Sequence, residues 1–180
     1  MSAADEEFDS FVRAHASEIY RYAASIVHDR WLAEDVTQDA FLRAWRFWPS
    51  QRDESARRAW VFRICRNVAF DALAARKRRR SLTAGVQVEP SRKLSADLAT
   101  VLQFPVRDAG LSWVDEVSVL RQMSLQHREV IALVDILGFD YQGAAEVLDC
   151  PVGTVRSRLK RAREHYKALN ALIEGVGGTG

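Results

Sequence analysis

Residues 140–163, DYQGAAEVLDCPVGTVRSRLKRAR, set a short helix, a tight turn and a basic helix in immediate succession. That spacing is the helix-turn-helix arrangement, in which the second helix enters a groove of DNA. Asp140 is placed to cap a helix over Tyr141–Leu148, its carboxylate offered to the free N–H groups of the first turn. Ala144, Ala145 and Leu148 give that helix a small apolar face against which another helix can lie closely. Asp149-Cys150 forms the turn, and Pro151 starts the next helix where a missing N–H costs nothing. Val155, Leu159, Ala162, Tyr166 and Leu169 then recur at steps of four and three, an inward stripe, while Arg156, Ser157, Lys160, Arg161 and Arg163 fall on the opposite face. Residues 150–167 carry six basic and one acidic side chain, a charge suited to phosphate.

Charge along the rest of the chain is segregated, which the overall net charge of +2 conceals. Residues 1–54 hold six basic and eleven acidic side chains, and residues 55–80 hold nine basic and one acidic. DNA would therefore meet two basic patches, one in each half of the chain. At 48% hydrophobic and 28% charged the composition is that of an ordinary globular protein. No apolar run approaches the roughly twenty residues of a membrane span, and the acidic start Asp5-Glu6-Glu7 is the reverse of a signal peptide, so the expectation is a cytoplasmic protein without membrane insertion. Cys65 and Cys150 stand apart, outside any CxxC or Cys/His cluster, and His15, His28, His127 and His165 are scattered. With no HExxH, phosphate loop or nucleophile elbow, the reading is a non-enzyme with no metal, no cofactor and no catalytic residue.

The N-terminal part reads as three helices. Phe8, Phe11, His15, Ile19, Tyr22 and Ile26 step by three or four and predict one amphipathic helix. A second, over Trp31–Trp48, is expected to bury Leu32, Val36, Ala40, Phe41, Ala44 and Trp45, leaving Asp35, Gln38, Asp39, Leu42 and Arg46 on another face. The polar loop Pro49–Ser55 follows. A third helix, Ser55–Arg80, carries a predicted core stripe of Trp60, Ile64, Val68 and Ala72, with Val61 and Cys65 beside it, and projects Arg63, Arg66, Asn67, Asp71 and Arg76 elsewhere. It ends in Arg76-Lys77-Arg78-Arg79-Arg80, cations that suit a helix C-terminus but repel one another and call for an anionic partner.

Periodicity fades from Ser81 to Trp113 among Gly85, Pro90, Pro105 and Gly110, which reads as a linker, although Leu98, Val101, Leu102, Phe104 and Val106 are more apolar than a solvated tether requires. Beyond it, helices over Val114–Met123 and Gln126–Leu137, with Ser124 as cap and Gly138 as stop, precede the helix-turn-helix pair. The expected fold is all-α: two small helical modules joined by a linker, the C-terminal one a four-helix helix-turn-helix domain. The divisions are 1–80, linker 81–115, 116–174 and a disordered tail 175–180.

These residues resemble the extracytoplasmic-function sigma factors of bacterial RNA polymerase, and the likeness spans nearly the whole chain. EDVTQDAFLRAWRFW at 34–48 is similar to the polymerase-binding part of region two, and WVFRICRNVAFDALAARKRRR at 60–80 to its DNA-melting part. REVIAL at 128–133 and DCPVGTVRSRLKRARE at 149–164 are similar to region four. Three blocks in the expected order are far more specific than a lone helix-turn-helix. The chain departs from the family at Ser124, often Pro, at Gly143, commonly a larger polar residue, and at Asp149, often Gly. Asp tolerates the left-handed backbone such a turn needs, and Gly143 is expected to weaken its helix by up to about 1 kcal/mol relative to Ala.

The resemblance implies that Asp35, Gln38 and Asp39, with Leu42 and Trp45 in apolar support, dock on the clamp coiled coil of core RNA polymerase, and that the C-terminal module meets the flap. It implies that loop 49–55 captures a flipped base of the minus-ten element, lined by Arg63, Arg66 and Asn67, and that Arg76, Lys77 and Arg78 grip phosphate. Asp71 would orient an Arg. Arg156, Ser157 and Lys160, with Thr154, would reach bases or adjoining phosphates of the minus-thirty-five element, and Arg158, Arg161 and Arg163 would contact phosphate. The mechanism implied is recruitment of polymerase, recognition of two promoter elements and assistance in strand opening, under control of an anti-sigma factor. The residues leave two alternatives. One is a helix-turn-helix operator-binding regulator that does not join polymerase, which leaves the α-helical acid face unused. The other is an RNA- or protein-binding adaptor, which would need exposed aromatic surfaces where Trp31, Trp45, Trp48 and Trp60 read as core.

Overall fold

The computed structural model describes residues 3–48, 53–82 and 119–176, with side chains through 81 and 172 in the last two segments. Every regular element among them is helical: α1 (Ala3–Val27), α2 (Arg30–Arg46), α3 (Glu54–Leu82), α4 (Leu125–Ile131), a π-helical segment (Ala132–Ile136), α5 (Tyr141–Leu148) and α6 (Val152–Val176). Loop positions 49–52, most of the expected linker, the start of the Val114–Met123 helix and positions 177–180 of the expected tail lie outside the described residues. Within the last of the expected helices to begin there, 119 and 120 are helical and a turn follows. Helix α6 continues to Val176, two residues into the stretch expected to be disordered, because Gly lowers helix propensity without removing an N–H from the ladder.

Helices α1, α2 and α3 pack against one another around Ile19, Tyr22, Ile26, Val36, Phe41, Val61 and Phe62. Two aspartates set the entries: Asp29 Oδ1 accepts from Leu32 N (3.2 Å) and starts α2, and Asp53 Oδ1 accepts from Ala56 N (2.8 Å) and starts α3. That cap explains why α2 starts before Trp31. Its buried stripe is Ala33, Val36, Thr37, Ala40, Phe41 and Ala44, mostly small, which draws the helix close to its neighbours. Trp45, expected in this core, lies beyond the edge of the stripe and is 42% exposed, one face resting on Phe8 (ring centroids 5.1 Å apart). Trp31, also read as core, is 59% exposed. Trp48 does fill the base of the bundle, half-buried against Phe8 and Phe11, with Arg57 over its ring. The predicted stripe of α3 is also shifted. Val61, Phe62, Cys65, Val68 and Ala69 are buried whereas Trp60, Ile64 and Ala72 are half-buried, because α3 is covered on one side by α1 and α2 and on another by α5. His15, placed in the α1 stripe, sits at its margin, where Nδ1 lies 2.9 Å from Glu18 Oε2.

Helix α1 ends at His28, which takes the left-handed conformation (φ 52°). Neither of its ring nitrogens has a hydrogen-bond partner among the described residues, and Arg121 Nη2 donates to its carbonyl at 3.3 Å. Burial, helped by Arg128 and Arg121, pushes the imidazole down to about 4 from the usual 6.5. The unfolded chain therefore binds a proton that the folded chain refuses between those values, so stability is whole above pH 6.5 and is lost as the pH falls toward 4. A His28→Asn chain, whose side chain tolerates positive φ, is expected to lose less melting temperature between pH 7 and pH 5 than the parent, as thermal melts followed by circular dichroism would show.

In the second half, α4 and α5 pack on α6 through Val130, Leu133, Ala144, Leu148, Val155, Leu159 and Ala162. Ser124 stands at the N-cap of α4 in extended backbone, but its side chain makes no capping hydrogen bond, a correction to its expected role. After Ile131 the helix widens to i→i+5 bonding, Leu137 N donating to Ala132 O at 2.9 Å, and Gly138 (φ 69°) ends it. The two halves share one continuous core: α3 lies on α5, and α1 lies on α4 and the π-helical segment.

Candidate nucleic-acid interface

The helix-turn-helix forms as its residues dictate. Asp140 Oδ1 accepts from Gly143 N at 2.7 Å, and Asp149 takes the left-handed turn position (φ 51°) that frees Pro151 to open α6. Gly143 has a local reason: a Cβ there would stand 3.0 Å from both the capping oxygen of Asp140 and the Phe139 ring. The helix accepts its low propensity because that ring and that cap share the space.

On α6, Arg156, Ser157, Lys160 and Arg161 are exposed, with Thr154 and Arg158 half-buried beside them. Ser157 Oγ donates to Thr154 O (3.1 Å), and the Arg156 guanidinium lies 5.6 Å from the Tyr141 ring centroid, which holds the arginine toward the N-terminus of α5. Between α5 and α6 runs a groove of about 430 Å³ bordered by Tyr141, Arg156, Lys160, Arg163 and Lys167. Arg163, expected as a phosphate contact, is paired within the chain. Its Nε and Nη2 both donate to the Asp135 carboxylate, at 3.0 and 2.5 Å, a fork that ties α6 to the π-helical segment and raises the guanidinium's affinity for its proton.

The residues expected at the minus-ten site share α3 but not one environment. Arg63 and Asn67, one turn apart, are exposed. Arg66 is turned away from them, its Nε donating to Glu129 Oε1 at 2.6 Å and its guanidinium lying over Phe70. Lys77 and Arg78 are exposed, but Arg76 pairs with Asp29 (3.0 Å), so the first cation of the basic run is tied to the start of α2. Asp71 faces Arg43 of α2 at 3.6 Å rather than any of the α3 arginines.

On α2, Asp35, Gln38, Asp39, Leu42 and Trp45 follow helical spacing along one outward face. Leu42 is 45% exposed, and Trp31, one turn before Asp35, extends the face with Phe47 (73% exposed) near its other end. Partial burial, with Glu34 and Asp29 nearby, raises the Asp35 carboxyl above its ordinary range. Asp39 pairs with Arg43 at 2.9 Å. Large apolar side chains left in water between carboxylates mark a surface built for a partner. The sequence reading placed Trp31 in the core and passed over Phe47, yet the steps from Trp31 to Asp35, Gln38, Leu42 and Trp45 were visible there. Among the described residues no group of His, Cys, Asp and Glu could hold a metal ion, and no helix is long and apolar enough to cross a membrane.

Comparison with known proteins matches residues 11–79 to the sigma-70 region 2 family and residues 117–165 to sigma-70 region 4. The chain is 36% identical over 171 residues to RNA polymerase sigma-H factor of Pseudomonas aeruginosa, covering 92% of this chain and 88% of that one. It is 32% identical over 158 residues to ECF RNA polymerase sigma factor SigC of Mycobacterium tuberculosis, covering 87% and 79%. Its fold is similar to that of the sigma factor RpoE from Bartonella quintana, solved in complex with the anti-sigma factor NepR, with a TM-score of 0.71, 26% identity and coverage of 92% and 98%.

Proposed function

This chain belongs to the extracytoplasmic-function family of RNA polymerase sigma factors, and from that premise we propose how its surfaces divide the work of starting transcription. It binds core RNA polymerase through the outward face of α2, where Asp35, Gln38 and Asp39 meet a basic helical partner and Leu42 and Trp45 supply apolar contact. Residues 1–80 form the module that engages the minus-ten element through Arg63, Arg66, Asn67, Arg76, Lys77 and Arg78. Residues 116–174 form the module that reads the minus-thirty-five element through Thr154, Arg156, Ser157, Arg158, Lys160 and Arg161, and 81–115 tether the two. Arg156, held by Tyr141, is the best placed to read a base edge, and the remaining cations supply salt-dependent, sequence-blind affinity. The factor performs no chemistry itself. Polymerase makes the phosphodiester bonds, and the sigma factor spaces two weak contacts so that together they bind tightly. It works in the cytoplasm, and by likeness to the Bartonella complex its regulator is an anti-sigma factor.

The observation that carries this reading is the acid-and-apolar face of α2, left open on the same chain as a capped helix-turn-helix. Run-off transcription with bacterial core polymerase, on promoter fragments of the source genome, is expected to yield discrete transcripts only when the protein is added. Sequence-specific DNA binding with no transcript would instead establish an operator-binding regulator.

A further inference from the structure

Steps of four, three and four set Arg156, Lys160, Arg163 and Lys167 along one stripe of α6, and that stripe borders the groove that Tyr141 of α5 closes from the other side. Cations so arranged repel one another, and a long side chain in water samples many rotamers. Two of them are nevertheless fixed within the chain. The fork from Arg163 to the Asp135 carboxylate, at 3.0 and 2.5 Å, binds one to the π-helical segment, and the Arg156 guanidinium lies over the Tyr141 ring, 5.6 Å from its centroid. Tyr141 meets both arginines. Beyond the hold that Asp135 supplies, the Arg163 guanidinium also donates toward the Tyr141 hydroxyl. One aromatic side chain thus stands between two arginines about two turns apart, its hydroxyl toward Arg163 and its ring face toward Arg156.

These contacts form a line of support that begins outside the helix-turn-helix. Asp135 balances the charge of Arg163, which can then lie beside Tyr141 without repelling Arg156 at full strength. Arg163 steadies the hydroxyl, and a ring held in one plane offers Arg156 one face on which a planar guanidinium stacks. An arginine set in this way loses less freedom when it forks onto a base edge. The benefit falls on the matching base, because a mismatched base leaves the same fixed donors unpaired.

We propose that Asp135, Arg163 and Tyr141 are positioning residues for promoter recognition: Asp135 anchors Arg163, Arg163 anchors Tyr141, and Tyr141 aims Arg156 at the minus-thirty-five element. None of the three has to touch a base. The line carries selectivity rather than affinity, and it gives Arg163 a task other than phosphate binding. The inference rests on the proposed reading of Arg156 as the base contact.

The test uses holoenzyme assembled from bacterial core polymerase and the full chain. It transcribes one pool of promoter fragments that differ only in a randomised minus-thirty-five element, each marked by a transcribed barcode. Barcode counts give the base preference at every position of that element. A variant that is merely less stable, or that binds polymerase less well, lowers all transcripts alike and leaves the preferences unmoved. Arg156→Ala marks the position this arginine reads. Asp135→Asn and Tyr141→Leu are expected to flatten the preference at that same position by about two- to fivefold, the range that a stacked cation supplies at an exposed site, and to leave the other positions as they are. Tyr141→Phe, which keeps the ring and loses the hydroxyl, should fall between the parent and Tyr141→Leu. Asp135→Asn combined with Tyr141→Leu should flatten no further than Tyr141→Leu alone, since both cut one line of support. Full preference retained by Asp135→Asn and Tyr141→Leu at the marked position overturns the inference and leaves the proposed function standing. Flattening by Tyr141→Leu alone overturns the part assigned to Asp135 and Arg163. If Arg156→Ala marks no position, Arg156 is not the reader and the inference falls with it; if the parent yields no transcript, the proposed function falls as well.

Discussion

A chain carrying Asp35→Lys and Gln38→Ala is expected to lose at least about a hundredfold in affinity for core RNA polymerase, and with it the run-off transcripts. Charge reversal at the centre of a docking face costs several kcal/mol, and truncation of a central contact about 2 kcal/mol or more; each 1.4 kcal/mol is roughly tenfold. These two positions are the cleanest on the face. Asp39 is engaged with Arg43, so its replacement would disturb α2 itself, and Trp45 rests on Phe8. Asp35 is exposed and its carboxyl is already held somewhat above the ordinary range, so the fold does not depend on its charge. Competition binding against a labelled sigma factor, with melting curves as control, would read the loss. Wild-type affinity in the variant would remove α2 from the polymerase interface.

Phe62→Ala is expected to be the most destabilising single truncation at the seam between the two halves of the chain. Phe62 is fully buried, with Tyr22 behind it (ring centroids 5.5 Å apart) and Phe139 before it at 4.9 Å, so one ring fills space for both halves of the core. Removing such a ring costs about 3–5 kcal/mol, which in a chain of this size lowers the melting temperature by roughly 6–20 °C. Chemical denaturation with the midpoint read by circular dichroism measures it. A loss under about 1 kcal/mol would mean that neighbouring side chains collapse into the space and that packing across the seam is loose.

How far the residues alone foretold this arrangement depends on the range of the interactions concerned. The cap at Asp140, the left-handed Asp149 and the stripe of Val155, Leu159 and Ala162 are set by contacts within a few residues, and all were legible. The outward face of α2 was legible as a spacing, and the family resemblance placed Trp45 on it, but periodicity alone did not expose its tryptophans. Helical periodicity reports that apolar residues share a face without saying whether a neighbour covers it, so Trp31 and Trp45 read as core. Phe62 was passed over because α3 is apolar on more than one side, and only the packing of α5 explains why. The engagement of Arg66 with Glu129, 63 residues apart, and of Arg163 with Asp135, 28 apart, has no local signature at all. Pairs of this kind turn some cations of the described residues to neighbours, a division that no charge count contains.

The π-helical segment at 132–136 fixes the register between the two halves of the chain. A wide turn of this kind houses one more residue than an α-helix would over the same rise, so the register of everything after it depends on that residue. Excising one residue there would restore regular bonding but swing everything that follows by about 100° around the helix axis. Asp135 would no longer face Arg163, and the Leu137 carbonyl would leave Arg58. The one wide turn thus sets which side chains of the second half face the first.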